Sequence, residues 1–384
     1  ILSGIAGCLT DSSQGGSMTT DSVVLDLDES RIVIPRDRRL RKVYLEFSSR
    51  CNLNCPMCFR ESWTEPQGDM DWDLFLRLAS DLEQFPRLET VHFLGIGEPF
   101  CNPRLVEAVG IIKSGNRRVR ITTNATLLDR SAARALVAAG ADIVDLSVEA
   151  ENVPWPGRVN SLETLSKAAE ELLEARRHAG SNACETRIAL VVTRSNLPLV
   201  PDIVRSLKGR GVSAVSVSNL LPTDMEADAN RLYPLSLEEE VAVRSKLYTQ
   251  FQHAGIKPEL PRFALSTERH CNFVRSESCF IRWDGLVAPC LRLCHGYSEI
   301  VLGREKEVVP WFFGDLKRQG LAEIWDDPGY VSFRWRLRRA LYASCLDCNL
   351  LRSCEYAKTT ESDCWGDSPA CSDCLWDRNL IRCP

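Results

Sequence analysis

Cys51, Cys55 and Cys58 stand in a C-x3-C-x2-C spacing within CNLNCPMC. One short loop thus offers three thiolates, which suits a cubane iron–sulfur cluster, because each thiolate reaches a different iron corner and one iron stays open. Part of a zinc site is the competing reading of the spacing alone. A second concentration lies downstream: of the 17 cysteines, eleven fall between residues 271 and 383. Tight C-x2-C and C-x3-C spacings in a long chain with no export signal favour metal thiolates over disulfides, and the uneven clustering implies two metal-bearing regions.

Such groups need elements that converge. Short apolar or β-branched runs at 43–47, 90–94, 119–123, 143–148, 187–192 and 212–218 alternate with longer helical patterns. Helix starts are marked by Asp71, by Ser161 ahead of Leu162, Leu165, Leu172 and Leu173, and by a capping box at Ser236 and Glu239. Six βα units predict an α/β chain folded as a partial (β/α)6 TIM-like barrel. In parallel βα folds, ligands collect at the carboxyl ends of the strands. CNLNCPMC follows the first strand, GIGEP the second and TNATLL the third, and SVE closes the fourth. From about residue 260 the alternation fades and cysteines, tryptophans and glycines take over. The expected divisions are 1–17, 18–42 as an extended lead-in, 43–258 as the barrel and 259–384 as a cysteine-rich domain.

The cysteine loop, Gly95-Ile96-Gly97-Glu98-Pro99, Thr122-Thr123-Asn124, and Ser147 with Glu149 occur in the order and spacing of the radical S-adenosylmethionine (SAM) superfamily, which the chain resembles. The resemblance implies a [4Fe–4S] cluster on Cys51, Cys55 and Cys58 whose free iron chelates SAM, and reductive cleavage to a 5'-deoxyadenosyl radical that abstracts hydrogen from a substrate. It further implies that the Gly97-Glu98-Pro99 turn binds the SAM amino group, and that Thr123, Asn124, Ser147 and Glu149 lie around SAM. Arg194 and Asn219 would contribute near its carboxylate and adenine. Met57 departs from the aromatic residue often found before the third cysteine, but it too is apolar. Taken singly, each polar residue reads rather as a backbone cap at a strand end, and the resemblance rests on the four elements together.

Gly285-x4-Cys290 followed by Cys345-x2-Cys348-x5-Cys354 resembles the SPASM extension of that superfamily, which holds two further [4Fe–4S] clusters. Lys358 stands where the usual pattern has another cysteine, and Cys364, Cys371, Cys374 and Cys383 follow. The partition expected from the resemblance is Cys271, Cys279, Cys290 and Cys364 on one auxiliary cluster, and Cys345, Cys348, Cys354 and Cys374 on the other. A zinc ribbon on Cys345, Cys348, Cys371 and Cys374 competes with it. Cys8, Cys101 and Cys184 are isolated and read as small hydrophobes. Of the five histidines, His92 and His270 read as structural.

A formal net charge of −5 lacks the basic excess that nucleic-acid binding requires. No apolar run approaches the roughly 20 residues that span a bilayer, so a cytoplasmic protein without a membrane partner is expected. The basic stretch Phe333–Arg339 reads either as a docking face for a flavodoxin, ferredoxin or peptide, or as a helix with Phe333, Leu337 and Leu341 inward. Residues 1–17, ILSGIAGCLTDSSQGGS, end in a Gly-Gly-Ser spacer before Met18, and read as a tag remnant or as a fused peptide substrate carrying Cys8. SPASM-type relatives commonly modify peptides or proteins, so the resemblance implies a peptide maturase, with ferredoxin or flavodoxin as reductant. GIGEP together with the DCWG…CSDCLW…CP ending also resembles maturases associated with tungsten-cofactor aldehyde oxidoreductases. A non-catalytic, zinc-stabilised binding module is the reading from outside enzymology.

Overall fold

The computed structural model describes residues 22–27, 30–35, 38–149, 162–180 and 183–382. Residues 1–17 with Cys8, the helix start at Ser161, and Cys383 lie outside them.

The lead-in is more ordered than expected. β1 (Ser22–Leu27) and β2 (Ser30–Pro35) pair antiparallel, setting Val23 opposite Ile34 and Val24 opposite Val33. Such β-branched cross-strand pairs stabilise a ladder, and here their signal outweighs that of the surrounding charges.

The barrel follows as β3 (Lys42–Leu45), α1 (Trp72–Asp81), β4 (Thr90–Phe93), α2 (Leu105–Ser114), β5 (Arg118–Thr123), α3 (Arg130–Ala139), β6 (Ile143–Glu149), α4 (Leu162–His178), β7 (Glu185–Val192), α5 (Val200–Leu207) and β8 (Val212–Asn219). After α6 (Met225–Asn230) and α7 (Leu237–His253), a seventh parallel strand absent from the sequence reading, β9 (Lys257–Glu259), pairs with β8. It is three residues long and contains Pro258, too short to carry a periodic signal. Asp71 caps α1 by accepting from the Leu74 amide at 3.0 Å, and the Ser236–Glu239 box closes with bonds of 2.8 and 3.2 Å.

Side-chain alternation sorts the barrel into two faces. On β3, Val43 and Leu45 pack into the main core with α1 residues Leu74, Phe75 and Leu78, whereas Tyr44 joins Leu94, Phe280 and Cys294 in a separate cluster. Tyr44 and the following Glu46 therefore share the inner face.

The cysteine-rich part comprises α8 (Asn272–Arg275), β10 (Ser278–Ile281), β11 (Leu286–Ala288), the hairpin β12 (Tyr297–Val301) with β13 (Arg304–Val308), β14 (Gly314–Asp315), α9 (Leu321–Trp325) and α10 (Pro328–Arg338). Apart from the β12–β13 hairpin, its strands join the barrel sheet: β10 pairs parallel with β3, giving one ten-stranded sheet ordered β14-β11-β10-β3-β4-β5-β6-β7-β8-β9. The basic stretch lies mostly on α10, where Phe333 and Leu337 are buried and the Arg334 guanidinium sits 3.7 Å from the Trp325 ring and 4.2 Å from Tyr330. Much of its charge is thus spent on internal packing. Among the described residues no helix is long and apolar enough to cross a membrane.

Candidate active site

Cys51, Cys55 and Cys58 lie half-buried on the loop after β3. The Cys58 amide donates to the Cys55 carbonyl at 2.9 Å, and the Leu53 amide points at the Cys51 sulfur at 3.4 Å. The loop is seated backbone-to-backbone on the GIGEP turn, with the Glu98 amide on the Arg50 carbonyl at 2.8 Å. A Cβ at Gly97 would fall 2.3 Å from the Ser48 carbonyl oxygen and 2.6 Å from that of Arg50, so only glycine permits this approach. Pro99 opens the short 3-10 turn Pro99–Cys101 that follows.

Glu98 makes internal contacts that the sequence does not show. Its carboxylate is buried and accepts from the Thr123 hydroxyl at 2.8 Å, the Asn124 amide at 2.7 Å and the Phe100 amide at 3.1 Å. Burial pushes it up to about 7, although those three donors favour the charged form. Glu98 thus ties the second βα loop to the third. Asn124, fixed in turn by Thr126, directs its side-chain amide at Asn52 Oδ1 (3.0 Å) and at the Cys51 sulfur (3.6 Å). Ser147 lies on the inner face of β6; Glu149 closes that strand, and its side chain lies outside the described part.

Backbone carbonyls hold the last two expected SAM contacts. Arg194 is exposed and donates to the Arg231 carbonyl, and Asn219 gives its amide hydrogens to the carbonyls of Arg262 and Leu380, which leaves Oδ1 buried and without a hydrogen-bond partner. Cys101, read as an isolated hydrophobe, stands beside the loop: burial, then the charges of Glu98 and Cys51, push its thiol up. Cys184 is a core residue, and the buried Cys294 donates to the Leu291 carbonyl at 2.9 Å.

The downstream cysteines fall into two sets that differ from the expected partition. Cys271, Cys290, Cys371 and Cys374 all line one partly open void of about 80 Å³. Burial raises all four thiols, Cys271 to about 12, and the charges of the neighbouring sulfurs add to this for Cys271, Cys371 and Cys374. Cys345, Cys348 and Cys354 keep their close spacing, and Cys364 lies near enough to Cys348, Cys354 and Cys345 for their charges to act on one another, which groups these four apart from the first set. Cys364 and Cys374 have therefore exchanged places, and Cys371 stands where Cys279 was expected. Cys279 points from β10 into the main core, beside Val43, because the register of β10 on β3 turns it there. The zinc-ribbon grouping is split between the two sets as well. The first void is walled by four thiols and apolar groups together with Arg292, Asp377 and Arg382, and four converging thiols are the donor set that a cubane cluster takes.

Between the sets lies a buried charge cluster that sequence reasoning missed. Asp373 holds Lys306 at 2.8 and 2.9 Å, Arg304 at 2.5 Å and Arg292 at 3.4 Å, while Arg292 also pairs with Glu299. Burial pushes Asp373 up, but the charges of Lys306 and Arg292 outweigh it and hold the carboxyl at about 2.

A second missed group joins the two parts of the chain. His295, stacked on Trp63 at 3.8 Å, sits with Nε2 3.0 Å from Glu46 and Nδ1 3.1 Å from Glu65. Glu46 also accepts from the Ile96 amide at 3.2 Å in the GIGEP turn. Burial opposes the charge on His295, but Glu46 and Glu65 raise its pKa; burial likewise opposes ionisation of Glu65, yet bonds from His295 and Gly296 and the charge of Arg282 bring it to about 2. A lowered carboxyl stabilises the fold above its ordinary value of 4.5 and loses this as pH falls towards 2, whereas a raised imidazole stabilises below 6.5 and loses this at higher pH. We expect the contact to contribute on the order of 1–3 kcal/mol, fully present only between those two values. Urea denaturation across the pH range, compared with His295→Gln, measures it, and two parallel stability curves would refute it.

Residues 45–182 match the family model of the radical SAM superfamily, and residues 271–349 match that of an iron–sulfur cluster-binding domain, SPASM. The chain is 40% identical to the tungsten-containing aldehyde ferredoxin oxidoreductase cofactor-modifying protein of Pyrococcus furiosus, over 90% of this chain and 97% of that one. It is 24% identical to a probable GTP 3',8-cyclase of Methanococcus maripaludis, over 66% and 86%. Among solved structures, Streptococcus suis SuiB bound to precursor peptide SuiA matches with a TM-score of 0.59 at 17% identity, covering 87% of this chain and 76% of that one, a likeness of fold alone. Strand order, the loops gathered around Cys51 and the two family models agree: this chain belongs to the radical SAM superfamily, as a SPASM-type maturase that uses SAM and iron–sulfur clusters.

Proposed function

We propose that this maturase cleaves SAM at a [4Fe–4S] cluster held by Cys51, Cys55 and Cys58, and that it acts on the cofactor of a tungsten-dependent aldehyde oxidoreductase. The observation that carries the substrate assignment is the 40% identity to the cofactor-modifying protein across nearly its whole length. Peptide-bound SuiB, at 17% identity, carries no comparable weight.

When bound, the cluster supplies one electron to the SAM sulfonium and an open iron for its amino and carboxylate groups. This chain's own residues do the rest. The Asn124 amide and the Leu53 N–H support negative charge on the Cys51 sulfur. Gly97 and Glu98 lock the neighbouring loops to that loop, so the thiols are held by backbone packing. Pro99, Thr123, Ser147 and Glu149 complete the SAM surround at the carboxyl ends of the strands. Asn219 Oδ1, buried without a partner, suits a donor such as the adenine amine, and Arg194, held by the Arg231 carbonyl, would approach the SAM carboxylate. The Cys271 and Cys345 sets hold one auxiliary cluster each, and a ferredoxin or flavodoxin delivers the electron.

The test is anaerobic reconstitution with iron and sulfide, followed by assay of 5'-deoxyadenosine with SAM and reductant. Cofactor extracted from the tungsten enzyme should raise its formation several-fold and change in mass. Stimulation instead by a peptide of residues 1–17, with a mass change in the peptide, would replace this reading with the peptide one.

A further inference from the structure

Between the amino end of β3, at Lys42, and the carboxyl ends of β8 and β9, where Arg262 and Arg382 bond Asn219 and Ser218, lies a cavity of about 700 Å³. Its walls carry Lys42, Arg120, Arg262, Arg275, Arg378 and Arg382, against three carboxylates, Glu259, Glu268 and Asp377. That is a local excess of positive charge in a chain with a formal net charge of −5. Lys42 and Arg120 take inner-face positions on β3 and β5, Arg275 lies on α8, and Arg262, Arg378 and Arg382 come from segments after β9 and after α10.

Ion pairs hold several of these arginines in fixed poses. Glu268 lies 3.0 Å from Arg262, and Asp145 and Asp347, behind the walls, lie 2.5 Å from Arg120 and 2.6 Å from Arg378. Glu259 is shared between Arg187 at 2.7 Å and Arg382 at 3.6 Å. Arg275, exposed at the rim on α8, forms no ion pair among the described residues. The cavity shares Tyr44, Asn272, Asp377 and Arg382 with the void lined by Cys271, Cys290, Cys371 and Cys374, so the two spaces adjoin.

We propose that this cavity binds a phosphate-bearing small molecule and anchors it beside the Cys271 set. Five of the six cations are arginines, whose planar forks match phosphate oxygens two at a time. The volume falls within the roughly 300–1,000 Å³ of small-molecule sites. Cations outnumber carboxylates on the walls six to three, and Arg275 adds a charge that no carboxylate among the described residues offsets, which favours an anion there. The identification of this molecule with the substrate rests on the maturase reading; the binding itself does not.

Calorimetry on the reconstituted holoenzyme with inorganic pyrophosphate, succinate and triglutamate tests it. Pyrophosphate should bind saturably, at least about tenfold tighter than either carboxylate probe, and Arg275→Gln combined with Arg262→Gln should weaken it about tenfold, a loss of about 1.4 kcal/mol. Arg275→Gln alone alters only an exposed side chain, so it gives a partial loss in a protein that keeps its fold, and Arg275→Lys recovers part of the affinity. Absence of saturable pyrophosphate binding, equal affinity for triglutamate, or affinity unchanged in the variants overturns the proposal. Scoring SAM cleavage on the same preparation separates the two readings. Cleavage without pyrophosphate binding sinks the anion site alone, and binding without cleavage sinks the maturase alone.

Discussion

Alanine at Cys51, Cys55 or Cys58 is expected to reduce 5'-deoxyadenosine formation to background and to remove about four irons per chain, the content of one cubane. The effect is total because three ligands already leave one iron open, and no other described cysteine is poised to replace a missing one except Cys101, whose thiol is raised by burial and by neighbouring negative charge. The same iron and sulfide analysis decides the auxiliary sets. Cys371→Ala and Cys374→Ala should each cost about four irons as well, whereas Cys279→Ala should cost none. A Cys279→Ala protein short of four irons would restore the partition expected from sequence.

Asp373→Ala should be the most destabilising single change outside the cysteines. It leaves Lys306, fully buried, without either carboxylate oxygen it now contacts, and removes a partner from Arg304 and Arg292. Removing one member of a buried charge cluster costs about 3–5 kcal/mol, because the remaining charge has neither water nor a counter-ion. Chemical denaturation of the reconstituted protein reads this directly. Asp373→Asn should lose less, since an amide oxygen still accepts from Lys306, and a loss below about 1 kcal/mol in the alanine variant would show that water reaches the cluster.

What could be read from the sequence had local causes. The six barrel runs at 43–47 through 212–218 are apolar or β-branched because both faces of a parallel strand are covered, and the structure forms β3 to β8 on them. The Ser236–Glu239 box and the Asp71 cap depend on residues three apart. The cysteine loop and GIGEP are likewise local, and they meet because consecutive parallel strands end at the same edge. The illegible parts are those in which distant residues meet. Cys371 rather than Cys279 faces Cys271 because of the β10 register, which no spacing rule contains. His295 reaches Glu46 across 249 positions, and nothing near CHGY marks it. Asp373 meets Lys306 across 67 positions, and each looks in sequence like an ordinary surface charge. Glu98 was legible as a turn carboxylate, but not as a clamp, because its partners lie on the next loop.

The continuous sheet from β14 to β9 bears on how such a chain can be divided. By composition the cysteine-rich part looks like an attachment that could be cut away near residue 258. Doing so would strip β10 from β3 and leave Lys42–Leu45, the strand that leads into the Cys51 loop, as a bare edge with unsatisfied amides and carbonyls. It would also remove His295 from Glu46, which holds the GIGEP turn through the Ile96 amide. A truncated barrel would then be expected to associate edge to edge rather than persist as a smaller catalyst. The two halves are separate in composition and inseparable in folding, so a shuffled or trimmed descendant of this chain would have to replace β10 before it could afford to lose the clusters that come with it.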